Sequence, residues 1–124
     1  MEKRHIVLDT ETTGLEVEKG HRIIEIGGVV MNGRKKTSET FHVYINPQRE
    51  IDKEAQKVHG ISNEDLQDKP IFSEIAEDLL EFIDGSTLVI HNADFDVGFL
   101  DAEFKIASST YPSISEICEV KDTL

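Results

Sequence analysis

Asp9 and Glu11 stand one residue apart at the end of an apolar run, with Thr12-Thr13-Gly14 directly behind them. Side chains two apart on a strand point to the same face, so these carboxylates would lie side by side. Their repulsion is relieved when one takes a proton or both share a cation. Hard divalent ions such as Mg²⁺ favour oxygen ligands of this kind, above all where a substrate phosphate completes the shell. A third acid, Asp96, falls in His91-Asn92-Ala93-Asp94-Phe95-Asp96, where a short apolar run gives way to a helix. Ligands gather at strand ends in open mixed sheets, and the first helical turn carries positive dipole charge. Asp96 is therefore expected to meet Asp9 and Glu11 across neighbouring strand ends. Taken singly, each has a plainer reading: Asp9 as a turn residue, Asp96 as an acid stabilising a helix start.

Positioning these groups needs strands and helices in a definite order. His5 to Asp9 reads as a buried strand, and residues 15–22, polar and containing Gly20, as a loop. Ile23 to Met31 predicts a second strand, with Asn32-Gly33 as a type I′ hairpin signal. Thr37 to Asn46 predicts a third, closed by Pro47. Ile51 to Val58 predicts a short helix ended at Gly60, and Ser62-x-x-Asp65 a further helix start stopped by Pro70. Phe72 to Ile83 forms a longer helix with Ile75, Leu79, Phe82 and Ile83 on one stripe, ended by Gly85. Thr87 to Ile90 is a central strand. Asn92 is placed to cap a helix from Ala93 to Ala107, on which Phe95, Phe99, Ala102 and Ile106 form a stripe. Val97, Leu100 and Phe104 widen it, so most of that helix is buried. Asp101 falls well round the same helix and is expected to face water. After a Ser/Thr/Pro loop at 108–113, Ile114 to Val120 reads as a final strand or its approach. The order β-β-β-α-β-α-β predicts an α/β fold, a mixed sheet with helices on its faces, as one domain over 1–124.

With 25 Asp and Glu against 13 Lys and Arg, the net charge is −12, which argues against gripping nucleic acid by a broad basic face. A nuclease is still compatible. Metal ions can bridge acidic residues to a phosphate, and contact with the last few nucleotides needs little non-specific attraction. The rival is an acidic protein that binds proteins or basic peptides. No apolar run is long enough to span a bilayer, and Met1 to His5 has no apolar signal core behind it. A cytoplasmic protein with no membrane contact is expected. Cys118, the single cysteine, reads as a small buried apolar residue in a reducing cytosol. His5, His21 and His42 show no ligand spacing and receive no role, and His91 packs or orients backbone ahead of the site.

Asp-x-Glu on the first strand, followed by Asn-x-x-Phe-Asp at a helix start, resembles the DEDD exonuclease superfamily. Within it the chain is similar to the DEDDh proofreading epsilon-subunit family of bacterial DNA polymerase III. The similarity runs through Ile6 to Gly14, Ile23 to Gly27, Phe41 to Tyr44, Val58-His59-Gly60-Ile61, Asp68-Lys69-Pro70 and Leu88 to Phe99. It implies a ribonuclease-H-like mixed sheet with flanking helices and a 3′→5′ exonuclease with two Mg²⁺ or Mn²⁺ ions roughly 4 Å apart. The implied reaction releases nucleoside 5′-monophosphates from single-stranded or frayed DNA 3′ ends during replicative proofreading. By the same resemblance Asp9 bridges the ions, Glu11 holds the one bearing the attacking water, and Asp96 supports the second through water. Glu54 and His59 match positions that contact the terminal nucleotide. Asn92 and Phe95 match positions flanking that pocket, where a ring can pack against sugar or base. Glu54 on a solvated helix face and His59 as a helix C-terminal cap are the plainer readings. The implied protein partners are the polymerase catalytic subunit and its accessory subunit. The alternatives are an RNA or small-oligonucleotide exonuclease of the same superfamily, or a catalytically dead interaction domain.

The family completes its site with a His, the general base, and five residues later a fourth acid that binds metal, both on a later helix. Here no histidine follows His91, and Asp122 is the only Asp beyond Asp101. Asp122-Thr123-Leu124 resembles the start of that next helix. The expectation is the N-terminal portion of an exonuclease domain with its C-terminal helices missing. A shortened chain, a split enzyme completed by another chain, and a degenerate binding domain are the three explanations. Losing a general base costs about a hundred- to ten-thousandfold in rate, so the chain alone is expected to be inactive or strongly impaired. Apolar sheet surface is expected to lie bare.

Overall fold

In the computed structural model, which describes residues 4–124, the chain opens with an antiparallel meander. Its strands are β1 (His5–Thr12), β2 (Ile23–Asn32) and β3 (Lys35–Tyr44). Two short helices follow, α1 (Lys53–His59) and α2 (Asn63–Leu66). The rest runs α3 (Phe72–Ile83), β4 (Thr87–Ile90), α4 (Ala93–Ala107), α5 (Ile114–Ile117) and β5 (Glu119–Asp122). The sheet order is β3-β2-β1-β4-β5, with β1 parallel to β4 and β4 parallel to β5. This is the mixed sheet with flanking helices that the order of elements predicts. The signal-peptide reading of Met1 to His5 falls partly on residues 1–3, outside the described residues. Among the described residues no helix is long and apolar enough to cross a membrane.

The core follows from strict alternation along β1. Ile6 and Leu8 are buried while Val7, on the opposite face, is 44% exposed. Against the Ile6 and Leu8 face pack Leu79 and Ile83 of α3 and Phe99, Leu100 and Phe104 of α4. Phe72 and Phe104 meet edge to face with centroids 5.1 Å apart, the arrangement that aromatic quadrupoles favour. Each such fully buried side chain contributes roughly 1.5–3 kcal/mol. Cys118 is buried as expected, its thiol donating to the Ile83 carbonyl.

Several local expectations need correction. Asn32 pairs with Lys35, so the hairpin loop is Gly33-Arg34. Only Gly33 there has positive φ, 64°, which excludes a type I′ turn, since that turn needs two such residues. Residues 114–117 are helical, because Ser113 and Glu116 form a capping box and the Asp101 carboxylate accepts from the Ile114 N–H at 2.7 Å. That bond also turns Asp101 from water to a tertiary contact. Ile106 is 62% exposed, beyond the reach of the sheet. Asn92 adopts φ 61° and makes no side-chain cap. The cap comes from Asp122 at the end of β5, whose carboxylate accepts from the Asn92 and Ala93 N–H groups, each at 3.1 Å.

Two features fix the end of β1. A bulge falls between Glu11 and Thr12: Glu11 pairs with Glu25, but Thr12 pairs with Ile23. The extra residue, Ile24, lets two consecutive isoleucines be buried, Ile23 in the main core and Ile24 against Ile51 and Leu66. Across the core, buried Glu103 of α4 accepts from Arg22 Nε (3.0 Å), Arg22 Nη2 (2.6 Å) and the Ile23 N–H (2.8 Å). Helix α4 is thereby tied to the start of β2.

Candidate active site

Asp9 and Glu11 project from the same face of β1, Asp9 exposed and Glu11 half-buried. Burial first, then the Asp9 charge, raise the Glu11 carboxyl above its ordinary value; His59 opposes this, and Glu25 adds a smaller push upward. Asp96, in the first turn of α4, is 4% exposed, and the Thr10 hydroxyl donates to its Oδ1. Burial pushes the Asp96 carboxyl up to about 6 against the Thr10 hydrogen bond, and Asp9 and Glu11 push it further the same way. The three acids thus feel one another.

They do not form a closed cage. Thr10 faces the helices while Asp9 and Glu11 face the other side of β1, so Asp96 approaches the strand end from the helix side. Among the described residues no three His, Cys, Asp or Glu side chains are grouped so as to hold an ion. The donor chemistry does fit a hard divalent cation: crowded carboxylate oxygens whose mutual repulsion a positive charge would relieve.

Beside Glu11 opens a cleft of about 650 Å³, walled by Glu54, Ala55, Val58 and His59 around α1 and by Phe95 of α4. Three of the four predicted substrate residues, Glu54, His59 and Phe95, therefore converge. Asn92 lies exposed at the head of α4 and does not line the cleft. Leu15 and Val58, both strongly exposed, give the cleft an apolar lip. His59 closes the end of α1 and also lies in the cleft wall. Its Nδ1 accepts from the Ile61 N–H at 3.0 Å, so Nε2 carries the proton and donates to the Thr12 carbonyl at 3.2 Å. Both nitrogens are occupied by backbone, so the ring closes the end of α1 while lining the cleft. Buried His21 and its neighbour Asp52 also line it. No spacing in the sequence joins those two.

Comparison with known proteins establishes the family and the fold. Residues 6–124 match the RNase T family of exonucleases. The chain is 52% identical over 121 residues to the DNA polymerase III subunit epsilon of Rickettsia typhi, covering 98% of this chain and 53% of that protein. It is 49% identical over 125 residues to the Escherichia coli DNA polymerase III subunit epsilon, covering 98% of this chain and 51% of that protein. The chain thus spans about half the length of these relatives. Among solved structures, exonuclease X in complex with 5′ overhanging duplex DNA is 30% identical with a TM-score of 0.63, over 77% of this chain and 53% of that one. Exonuclease I, 15% identical, shares the fold, with a TM-score of 0.84 over 99% of this chain and 28% of that one. Fold, acidic strand end and sequence relatives agree: the chain belongs to the exonuclease family.

Proposed function

We propose that these residues form the metal- and nucleotide-binding part of a 3′→5′ exonuclease site that acts on single-stranded or frayed DNA ends in replicative proofreading. The observation that carries this reading is Asp9 and Glu11 on one face of the strand end, with Glu11 opening onto a cleft lined by Glu54, His59 and Phe95 and with Asp96 in electrostatic reach of both acids. Two Mg²⁺ or Mn²⁺ ions, when bound, would supply an activated water and stabilise charge on the scissile phosphate. Asp9 and Glu11 would hold them, and Asp96, oriented by Thr10, would support them from the helix side. Phe95 offers a ring to the terminal sugar or base, and Glu54 and His59 contact the same nucleotide. The net charge of −12 suits a site that meets only the last nucleotides, through cations. The DNA polymerase III names of the relatives support the polymerase catalytic and accessory subunits as partners in a cytoplasmic assembly.

Both His59 nitrogens are engaged with backbone, which leaves that ring no free nitrogen to act as a general base, and no histidine follows His91 in the 124 residues. Mn²⁺ is expected to raise the melting temperature by linkage, and Asp9→Ala to remove that gain. Hydrolysis of a 3′-labelled single strand should run about 10²–10⁴-fold below that of a full-length epsilon relative. Equal melting of the unaltered chain and Asp9→Ala at saturating Mn²⁺ would overturn the reading and leave an acidic interaction domain.

A further inference from the structure

Helix α1 walls the cleft, yet it buries none of its own residues. A helix of seven residues cannot hold itself in water. Its apolar anchoring comes mainly from its flanks, where Ile51 and Ile61 pack with Ile24 and Leu66. Polar ties then fasten both ends to one short stretch at the end of β1. At the C-terminal end, His59 donates to the Thr12 carbonyl. At the other, the Asp52 N–H donates to the Thr13 carbonyl at 2.9 Å.

Asp52 occupies the N-cap position of α1, but its carboxylate makes no capping bond. It faces His21 instead, with Oδ2 3.3 Å from Nε2. The His21 ring is buried, and its Nδ1 lies 2.8 Å from the Thr13 hydroxyl, which itself accepts from the Arg22 N–H at 3.0 Å. With Nε2–H directed at a carboxylate, Nδ1 accepts from Thr13, so one ring links the end of β1 to the start of α1. Only glycine tolerates the ring there: a Cβ on Gly14 would stand 2.4 Å from His21 Cε1.

We infer that His21 is a positioning residue of the nucleotide site, holding α1 through Asp52 so that Glu54, Val58 and His59 sit correctly about the terminal nucleotide. The inference deepens the proposed function and rests on it for the identity of the ligand. An Asp that gives up the capping bond its position offers is explained by this second task.

The test titrates thymidine 5′-monophosphate into the chain with Mn²⁺, and follows amide hydrogen exchange across residues 53–59. His21→Ala and Asp52→Ser should each weaken the nucleotide about fivefold or more, as for one lost hydrogen-bonded contact. Mn²⁺ affinity should be unchanged, and exchange should quicken in α1 but not in β1 or β2. Asp52→Ser keeps a residue able to cap α1, so it stays informative where His21→Ala fails to fold. Unchanged nucleotide affinity or unchanged α1 exchange in Asp52→Ser overturns the inference. Binding of neither Mn²⁺ nor nucleotide by the unaltered chain instead overturns the proposed function, and the positioning role falls with it.

Discussion

A carboxyl pushed up to about 6 is a burden on the fold at neutral pH, and Asp96 is that group. Its folded value lies above the unfolded one, so the stability tied to its proton is present below about pH 4 and lost as pH rises through about 6. Asp96→Asn should therefore stabilise the metal-free chain at pH above 7, by on the order of 1 kcal/mol once solvent screening at the cleft is allowed for. The same variant should lose the stabilisation by Mn²⁺; calorimetry with and without the ion checks both. The shared strand face of Asp9 and Glu11 and the place of Asp96 in the first turn of a helix were legible in the sequence, because strand spacing and a helix start are local signals. His21 and Asp52 were not: their partnership depends on α1 folding back over the end of β1, which no local pattern records.

Helix α4, which carries Asp96, owes its placement to charged groups from distant parts of the chain. Glu103 accepts three hydrogen bonds from Arg22 and Ile23 in a nearly dry setting. Removing it strands the guanidinium, so Glu103→Ala should cost roughly 3–5 kcal/mol in urea unfolding. The double change Arg22→Met with Glu103→Leu should cost clearly less, because neither charge is then left alone. At the head of the helix, the Asp122 carboxyl is held below its ordinary value, first by the Leu124 N–H and then by those of Ala93 and Asn92. A depressed value contributes stability at neutral pH that is lost as pH falls through it. Asp122→Asn should therefore lower the melting temperature at pH 7 and flatten its further fall below pH 4. Helix periodicity placed α3 and α4 correctly. It misplaced Ile106 because the stripe outruns the sheet beneath it, and it passed over the four-residue α5 because one turn has no period to read.

At the scale of the whole molecule, a net charge of −12 repels itself throughout the folded chain. Raising NaCl from low to physiological concentration should raise the melting temperature before any divalent ion is added, and thermal melts across a salt series check this. The mixed sheet was readable as a whole: three strands with a hairpin signal, then an apolar strand between two amphipathic helices, leave few ways to bury their faces. Most of the elements, most of the core, and the placement of Asp9 and Glu11 at a strand end follow from residue type and spacing along a few turns of chain. Three pairings arise only in the folded chain: Asp96 buried against Thr10 on the helix side of β1, Asp122 in place of Asn92 as the cap of α4, and His21 joined to Asp52 beside Gly14. Those pairings set burial and hydrogen bonding between residues far apart in the chain, and such energies exist only once the chain has closed on itself.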